Sequence, residues 1–169
     1  MGARQTLRAV VVTVIVGATM GAGLFFANRS EGAAPKLTGA DLAEIQNLYA
    51  QYNQGWDFRD VELYLSAYTD DGVFTTGAGE PYAGKKALRE YLTTAFAKSV
   101  NGNATHNNTS IHITATPEGA KGRGYWYVIN VLAQPPVFMG TGHYNDTFVK
   151  TSDGWKIKTR TSVRGWKQR

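Results

Sequence analysis

The sequence predicts a single α+β domain in which a cone-shaped, curved antiparallel or mixed sheet wraps around three N-terminal helices. Helical periodicity is confined to the first half of the domain, and strand-like segments fill the second half. These strands are long and are separated by turn-forming residues. With 169 residues and 43% hydrophobic content, the chain is long enough for one domain with a real core. A long sheet curved over helices would enclose a pocket between the two layers.

The three helices follow from capping and spacing signals. Thr38 fits an N-cap, with Asp41 three residues on, and we expect Gly55 to end the first helix. A shorter helix is predicted over residues 60–68 and a third over 85–98. The apolar face of the first helix consists of Leu42, Ile45, Leu48, Tyr49 and Tyr52.

The strands are delimited by glycine, proline and aspartate. We expect Asp70-Asp71-Gly72 to be a turn into a strand over 73–76, with a short extended piece near Pro81. Four long strands are predicted at 106–116, 121–132, 137–151 and 154–163. The turns between them are Pro117-Glu118-Gly119, Gln134-Pro135-Pro136 and Ser152-Asp153-Gly154.

The first long strand does not show a clear inner face. Strict alternation puts His106, Asn108, Ser110 and His112 on one face, and both isoleucines, 111 and 113, on the other. Either polar residues line the cavity while the isoleucines meet a partner subunit, or a bulge switches the faces. The sequence leaves both open.

The last strand carries most of the domain's basic excess. Alternation places Lys156, Lys158 and Arg160 together, opposite Trp155 and Ile157, so we expect them on a solvated outer face. The net charge of the whole chain is +5. A nucleic-acid-binding surface would require a larger basic excess, with aromatic residues on the same face. An anionic membrane surface is the better partner for this patch.

The first 34 residues form a module of their own. Arg4 and Arg8 precede residues 9–27, which contain no charge and are long enough for a membrane span. An uncleaved signal anchor is favoured; the alternative is a cleaved signal peptide, since Gly32-Ala33-Ala34 has small residues at the right places. Both readings export the domain, residues 35–169, either membrane-anchored outside the cytoplasm or secreted or periplasmic.

Asp57 and His106 are the residues best suited to chemistry. Asp57 follows the first helical run, and His106 begins the first long strand. If the fold brings them together, they form a carboxylate-oriented imidazole, a general base that needs no cofactor. Because the chain has no cysteine, thiolate catalysis and Cys-ligated zinc are excluded.

A metal site through the histidines is not expected. His106 and His112 are six residues apart on one predicted strand, hence about 20 Å apart, and cannot share an ion. His143 lies on another strand without an acidic residue at ligand spacing.

Several polar and aromatic residues are candidates for the pocket wall. Tyr52 and Trp56 lie one helical turn apart and close to Asp57, and the hydroxyl of Tyr52 or Tyr68 could polarise a substrate carbonyl. The other predicted substrate-binding residues are Trp126, His143 and Asn145.

Six loose motifs in a fixed order resemble the SnoaL-like branch of the nuclear transport factor 2-like superfamily, whose fold is a cystatin-like roll. The resemblance extends over residues 37–165. The motifs are Ile45-Gln46-x-Leu48-Tyr49, Gly55-x-Asp57, Asp70-Asp71-Gly72-Val73-Phe74, Tyr82-x-Gly84, His106-Asn107-Asn108 and Gly142-x-Tyr144, the last followed by Asp153-Gly154-Trp155-Lys156-Ile157.

Within that group the chain resembles scytalone dehydratase and hexachlorocyclohexane dehydrochlorinase, which carry an aspartate and a histidine where Asp57 and His106 stand. The resemblance implies a lyase or isomerase in which His106 takes a proton from carbon and Asp57 orients it. The alternative is a non-catalytic ligand-binding or oligomerisation domain. A polyketide cyclase-type enzyme is also implied by the family, but it would be expected in the cytoplasm. A homodimer formed through the outer sheet face is a further expectation from the family.

Overall fold

The computed structural model describes residues 36–98 and 102–165, and the predicted membrane segment lies outside this part of the chain. The helices are α1 (Gly39–Asp57), α2 (Val61–Ser66) and α3 (Gly84–Ala97). The strands are β1 (Tyr68–Thr75), β2 (Pro81–Ala83), β3 (Ala104–Thr116), β4 (Gly119–Asn130), β5 (Val137–Thr151) and β6 (Gly154–Arg164). No helix of the described residues is long and apolar enough to cross a membrane.

The strands form one mixed sheet in the order β2-β1-β6-β5-β4-β3. The β1–β6 pair is parallel and the other four pairs are antiparallel. The core lies between the helices and one face of this curved sheet, where Ile45, Leu88, Leu92 and Ile157 are fully buried. The predicted α+β class, with a curved sheet over three helices, is confirmed.

The first helix begins as predicted and runs further than predicted. Thr38 Oγ1 accepts the Asp41 amide at 3.1 Å, and Asp41 Oδ2 accepts the Thr38 amide at 2.9 Å. Gly55 does not end the helix. It is a close-packing position, because a Cβ there would lie 2.5 Å from the backbone nitrogen of Tyr64 in α2. The helix ends at Asp57, and Arg59 then adopts a φ of 58°.

The segment Asp70-Asp71-Gly72 is part of β1 rather than a turn before it. The second helix is correspondingly shorter than predicted, because Tyr68 is already in the strand. The register against β6 shifts between Tyr68 and Val73, so the strand bulges there and holds both aspartates at the surface. Salt bridges to Lys85 and Lys158 take up these two charges.

A bulge also settles the face of β3. The register against β4 shifts between Thr109 and His112, and Ser110 has a φ of 49°. Before the bulge Asn108 points toward α1; after it Ile111 packs against the core. Of the two alternatives left open by the sequence, the bulge is the one observed.

The prediction that Arg160 lies on the outer face is wrong, because a bulge switches the faces of β6 as well. Thr159 pairs with Thr147 while Ile157 pairs with Phe148, which leaves Lys158 as an extra residue in β6. The faces switch at this bulge, so Arg160 is completely buried instead of joining the two lysines outside.

Candidate functional site

Asp57 and His106 meet where the end of α1 crosses the start of β3. Asp57 Oδ1 lies 2.5 Å from His106 Nδ1, and Asp57 Oδ2 accepts the backbone amide of His106 at 2.9 Å. One carboxylate therefore holds both the ring and the backbone of the same histidine. The two side chains are 14% and 11% exposed, so the pair is mostly shielded from water.

Asn53, one turn before Asp57 on α1, supports the same stretch of β3. Its Nδ2 donates to the His106 carbonyl at 3.3 Å and to Asn108 Oδ1 at 2.5 Å. Because β3 is an edge strand, its outer backbone groups have no neighbouring strand to pair with. Asp57 and Asn53 satisfy both backbone groups of His106 and so fix its position.

The contact to Asp57 determines what the imidazole can do. With an ionised carboxylate as partner, Nδ1 carries the proton and donates it, which leaves the lone pair on Nε2. Among the described residues Nε2 has no hydrogen-bond partner. Nε2 is therefore the atom available to take up a proton.

His106 borders a cavity of about 140 Å³ that is partly open to solvent. Trp56 packs against the imidazole at a ring-centroid distance of 5.9 Å and an angle of 63°. Most of the remaining wall is aromatic, formed by Tyr52, Phe74, Tyr91, Trp126 and Tyr144, with Val128. Neither Trp56 nor Trp126 fills the space.

The tyrosines of this wall remain protonated at neutral pH. Burial is the main cause that raises the pKa of Tyr91 to about 12 and the pKa of Tyr144 to about 12. Burial also raises the pKa of Tyr52. These tyrosines are neutral side chains that can donate hydrogen bonds, and they do not act as bases.

The polar part of the cavity comes from β6 and from the chain after β1. Ser162 and Arg164 line it, as do Thr76 and Gly77. The Arg164 side chain lies along Gly77, where an added Cβ would come within 2.9 Å of its Cγ. Neither Ser162 nor Arg164 was predicted from the sequence, because only the bulge at Lys158 brings the even-numbered residues after it to the cavity side.

Three of the predicted substrate-binding residues, Tyr52, Trp56 and Trp126, line this cavity. Tyr68 does not, because it is fully buried and stacked on Tyr64 at 5.5 Å.

The other two, His143 and Asn145, flank inward-facing Tyr144 on β5 and therefore lie on the opposite face of the sheet. Asn145 accepts a hydrogen bond from Arg123 Nε there at 3.0 Å. Partial burial, and secondarily the charge of Arg123, lower the pKa of His143.

A second acid–base pair lies deeper in the core. Arg160 donates to Asp146 through Nε at 2.9 Å and through Nη2 at 2.7 Å, and both side chains are completely buried. The guanidinium also lies 4.4–4.5 Å from the ring centroids of Tyr49, Tyr52 and Tyr144. In the described part of the chain, no group of three or more His, Cys, Asp or Glu residues could hold a metal ion.

The helices, the curved sheet and the cavity between them define the cystatin-like fold of the nuclear transport factor 2-like proteins. Residues 38–161 match the model of the SnoaL-like domain, and the chain belongs to that family.

Solved structures show the same fold. A Nostoc punctiforme protein of unknown function with a cystatin-like fold matches with a TM-score of 0.71 and 24% identity, over 78% of this chain and 96% of its own. ActVI-ORFA from Streptomyces coelicolor matches with a TM-score of 0.67 and 18% identity, over 78% and 100%.

An aspartate-to-asparagine variant of a function-unknown Mycobacterium tuberculosis protein matches with a TM-score of 0.66 and 28% identity, over 75% of this chain and 72% of its own. The comparison with curated proteins finds no match.

Proposed function

We propose that this chain is a cofactor-independent lyase or isomerase that removes a proton from a C–H carbon of a small cyclic or apolar substrate. The observation that carries the proposal is the fixed imidazole. Asp57 holds Nδ1, and the free Nε2 belongs to a residue that borders an aromatic cavity. A positioned base of this kind typically contributes a rate factor of about 10²–10⁴.

In the proposed reaction His106 Nε2 takes the proton, and the electron pair of the C–H bond stays with the substrate. In a lyase that pair becomes a carbon–carbon double bond as the leaving group departs from the neighbouring carbon with its own bonding pair. In an isomerase the protonated imidazole returns the proton to a different carbon. In both cases the ionised Asp57 stabilises the imidazolium.

Deuterium exchange into a simple cyclic ketone tests proton abstraction without knowledge of the natural substrate. The full-length chain is incubated with cyclohexanone in D2O, and loss of the α-proton signal is followed by NMR. We expect the protein to accelerate exchange and His106→Ala to lower the acceleration by about 100-fold or more.

His112→Ala is the matched control. This histidine is on the same strand but after the bulge, on the outer face of the sheet. It should leave the exchange rate unchanged. Equal accelerated rates for the wild type and His106→Ala would exclude His106 as the base. No acceleration by either protein would favour the alternative, a non-catalytic ligand-binding or oligomerisation domain.

A further inference from the structure

Three residues form one row across the sheet at the cavity. Trp126 on β4 pairs with Gly142 on β5, and Gly142 pairs with Arg164 on β6. An added Cβ at Gly142 would lie 2.6 Å from Cζ2 and 2.8 Å from Cε2 of Trp126. The indole therefore lies over Gly142, the residue that separates Trp126 from Arg164 in this row.

Both ends of this row carry a hydrogen-bond donor without a protein acceptor. Trp126 is only 7% exposed, and its Nε1 is buried without a partner among the described residues. A buried donor that is left unpaired is unfavourable, so an acceptor atom of a ligand is its natural partner. Within the same residues, Arg164 makes no ion pair and no hydrogen bond through its guanidinium.

The charge of the cavity favours a negative ligand. None of the residues found to line it is acidic, and Arg164 contributes a permanent positive charge. The nearby carboxylates of Asp57 and Asp146 are already bonded to His106 and Arg160. A guanidinium beside an N–H donor suits a carboxylate, which offers two acceptor oxygens in a plane.

The size of the cavity limits the rest of the ligand. At about 140 Å³ it is close to the roughly 150 Å³ of an engineered apolar cavity that binds benzene. His106 pairs with Val128, two residues along β4 from Trp126, so the base lies on the diagonal from the indole. Such diagonal positions are about 7–8 Å apart, a distance that one ring can span.

We propose that the cavity takes a planar single-ring carboxylate, with the carboxylate held by Arg164 and the Trp126 N–H and the ring between the aromatic walls. Only the orientation of the ring toward His106 rests on the proposed function. The preference for a carboxylate does not depend on it. Arg164 and Trp126 act here as ligand-binding residues.

The test compares 4-fluorobenzoate with 4-fluorobenzamide, which share ring and shape and differ in charge. Binding of each to the full-length chain is measured by ¹⁹F NMR titration. We expect the carboxylate to bind about tenfold more tightly or better, because hydrogen bonds to charged groups are the stronger ones. Equal affinity, or no binding of the carboxylate at millimolar concentration, would overturn the proposal.

Two variants locate the effect. Arg164→Gln should abolish the preference for the carboxylate over the carboxamide and leave carboxamide binding unchanged. Trp126→Phe should weaken carboxylate binding while keeping an aromatic wall. Arg123→Gln, a matched change on the opposite face of β4, should bind like the wild type. A preference that survives Arg164→Gln, or falls as much in Arg123→Gln, contradicts the assignment.

The two proposals fail separately. His106→Ala should keep the carboxylate preference, because His106 is not part of the anion site. A chain that prefers the carboxylate but catalyses no exchange would refute the proposed reaction and retain the binding site. Exchange without any carboxylate preference would refute the binding site and retain the proposed reaction.

Discussion

The domain contains two carboxylate–base pairs whose surroundings differ completely. Asp146 and Arg160 have no exposed surface and are surrounded by the rings of three tyrosines. Asp57 and His106 retain a little exposure, and His106 borders the cavity. Tyr52 and Tyr144 belong to both regions, since they contact Arg160 and also line the cavity.

An acid–base pair therefore indicates chemistry only where a substrate can reach one of its members. Arg160 remains protonated, because the adjacent carboxylate outweighs the effect of burial and raises the pKa of the guanidinium well above its usual range. It can neither give nor take a proton at neutral pH. His106, in contrast, borders the cavity, and its Nε2 has no hydrogen-bond partner among the described residues.

The largest expected effect is on activity at the cavity pair. In Asp57→Asn an amide faces Nδ1 and donates to it, so the proton moves to Nε2 and the base is lost. We expect cyclohexanone exchange to fall by about 100-fold or more, as in His106→Ala, because both variants lose the base. Thermal unfolding measured alongside should show the variant still folded; a rate within threefold of wild type would contradict the role of Asp57.

The next effect is on stability at the packed pair. Asp146→Asn leaves a buried guanidinium without its counter-charge, which costs about 3–5 kcal/mol in the free energy of unfolding. Urea denaturation measures this cost. The double variant Asp146→Leu/Arg160→Met removes both charges and should recover most of the loss. If Asp146→Asn were as stable as wild type, Arg160 would not depend on this carboxylate.

A smaller effect separates positioning from proton transfer. Asn53→Ala removes the hydrogen bond to the His106 carbonyl and should cost about 1 kcal/mol in urea denaturation. Exchange should fall far less than in Asp57→Asn, because the tautomer of His106 is kept. A drop as large as that of Asp57→Asn would mean that strand position, not the carboxylate, controls the base.

The smallest effect concerns a third carboxylate, Asp41, which lies in the first turn of α1 and belongs to neither pair. Its pKa is held below the usual range, mainly by Lys150 and further by hydrogen bonds from Thr38 and Trp155. A depressed pKa stabilises the fold above the unfolded value of about 3.9, and this stabilisation is lost as the pH falls below it. The melting temperature of wild type should therefore exceed that of Asp41→Asn at pH 7, and the gap should shrink toward pH 3. A gap independent of pH would exclude this linkage.

The sequence predicted most elements, because capping, turn residues and periodicity are local signals. Asp57 and His106 were chosen from their places beside these elements together with the family resemblance. It did not predict which way β6 faces. The bulge at Lys158 is seen in the pairing with β5 and β1. It turns Arg160 into the core and places Ser162 and the exposed Arg164 at the cavity.

Gly55 shows the same limit. A glycine near the end of a helical pattern normally indicates a C-cap, and here it allows α2 to cross closely instead. Both errors come from contacts between segments distant in sequence, which no local pattern records.

A crystal structure of the chain with 4-fluorobenzoate bound tests the contrast between the two pairs most directly. We expect the ring between Trp56 and Trp126, with a ring carbon within about 3.5 Å of His106 Nε2, and no ligand at Asp146 or Arg160. A ligand on the outer face of the sheet would contradict the proposed carboxylate site. An imidazole turned away from the cavity would contradict the assignment of His106 as the reactive base.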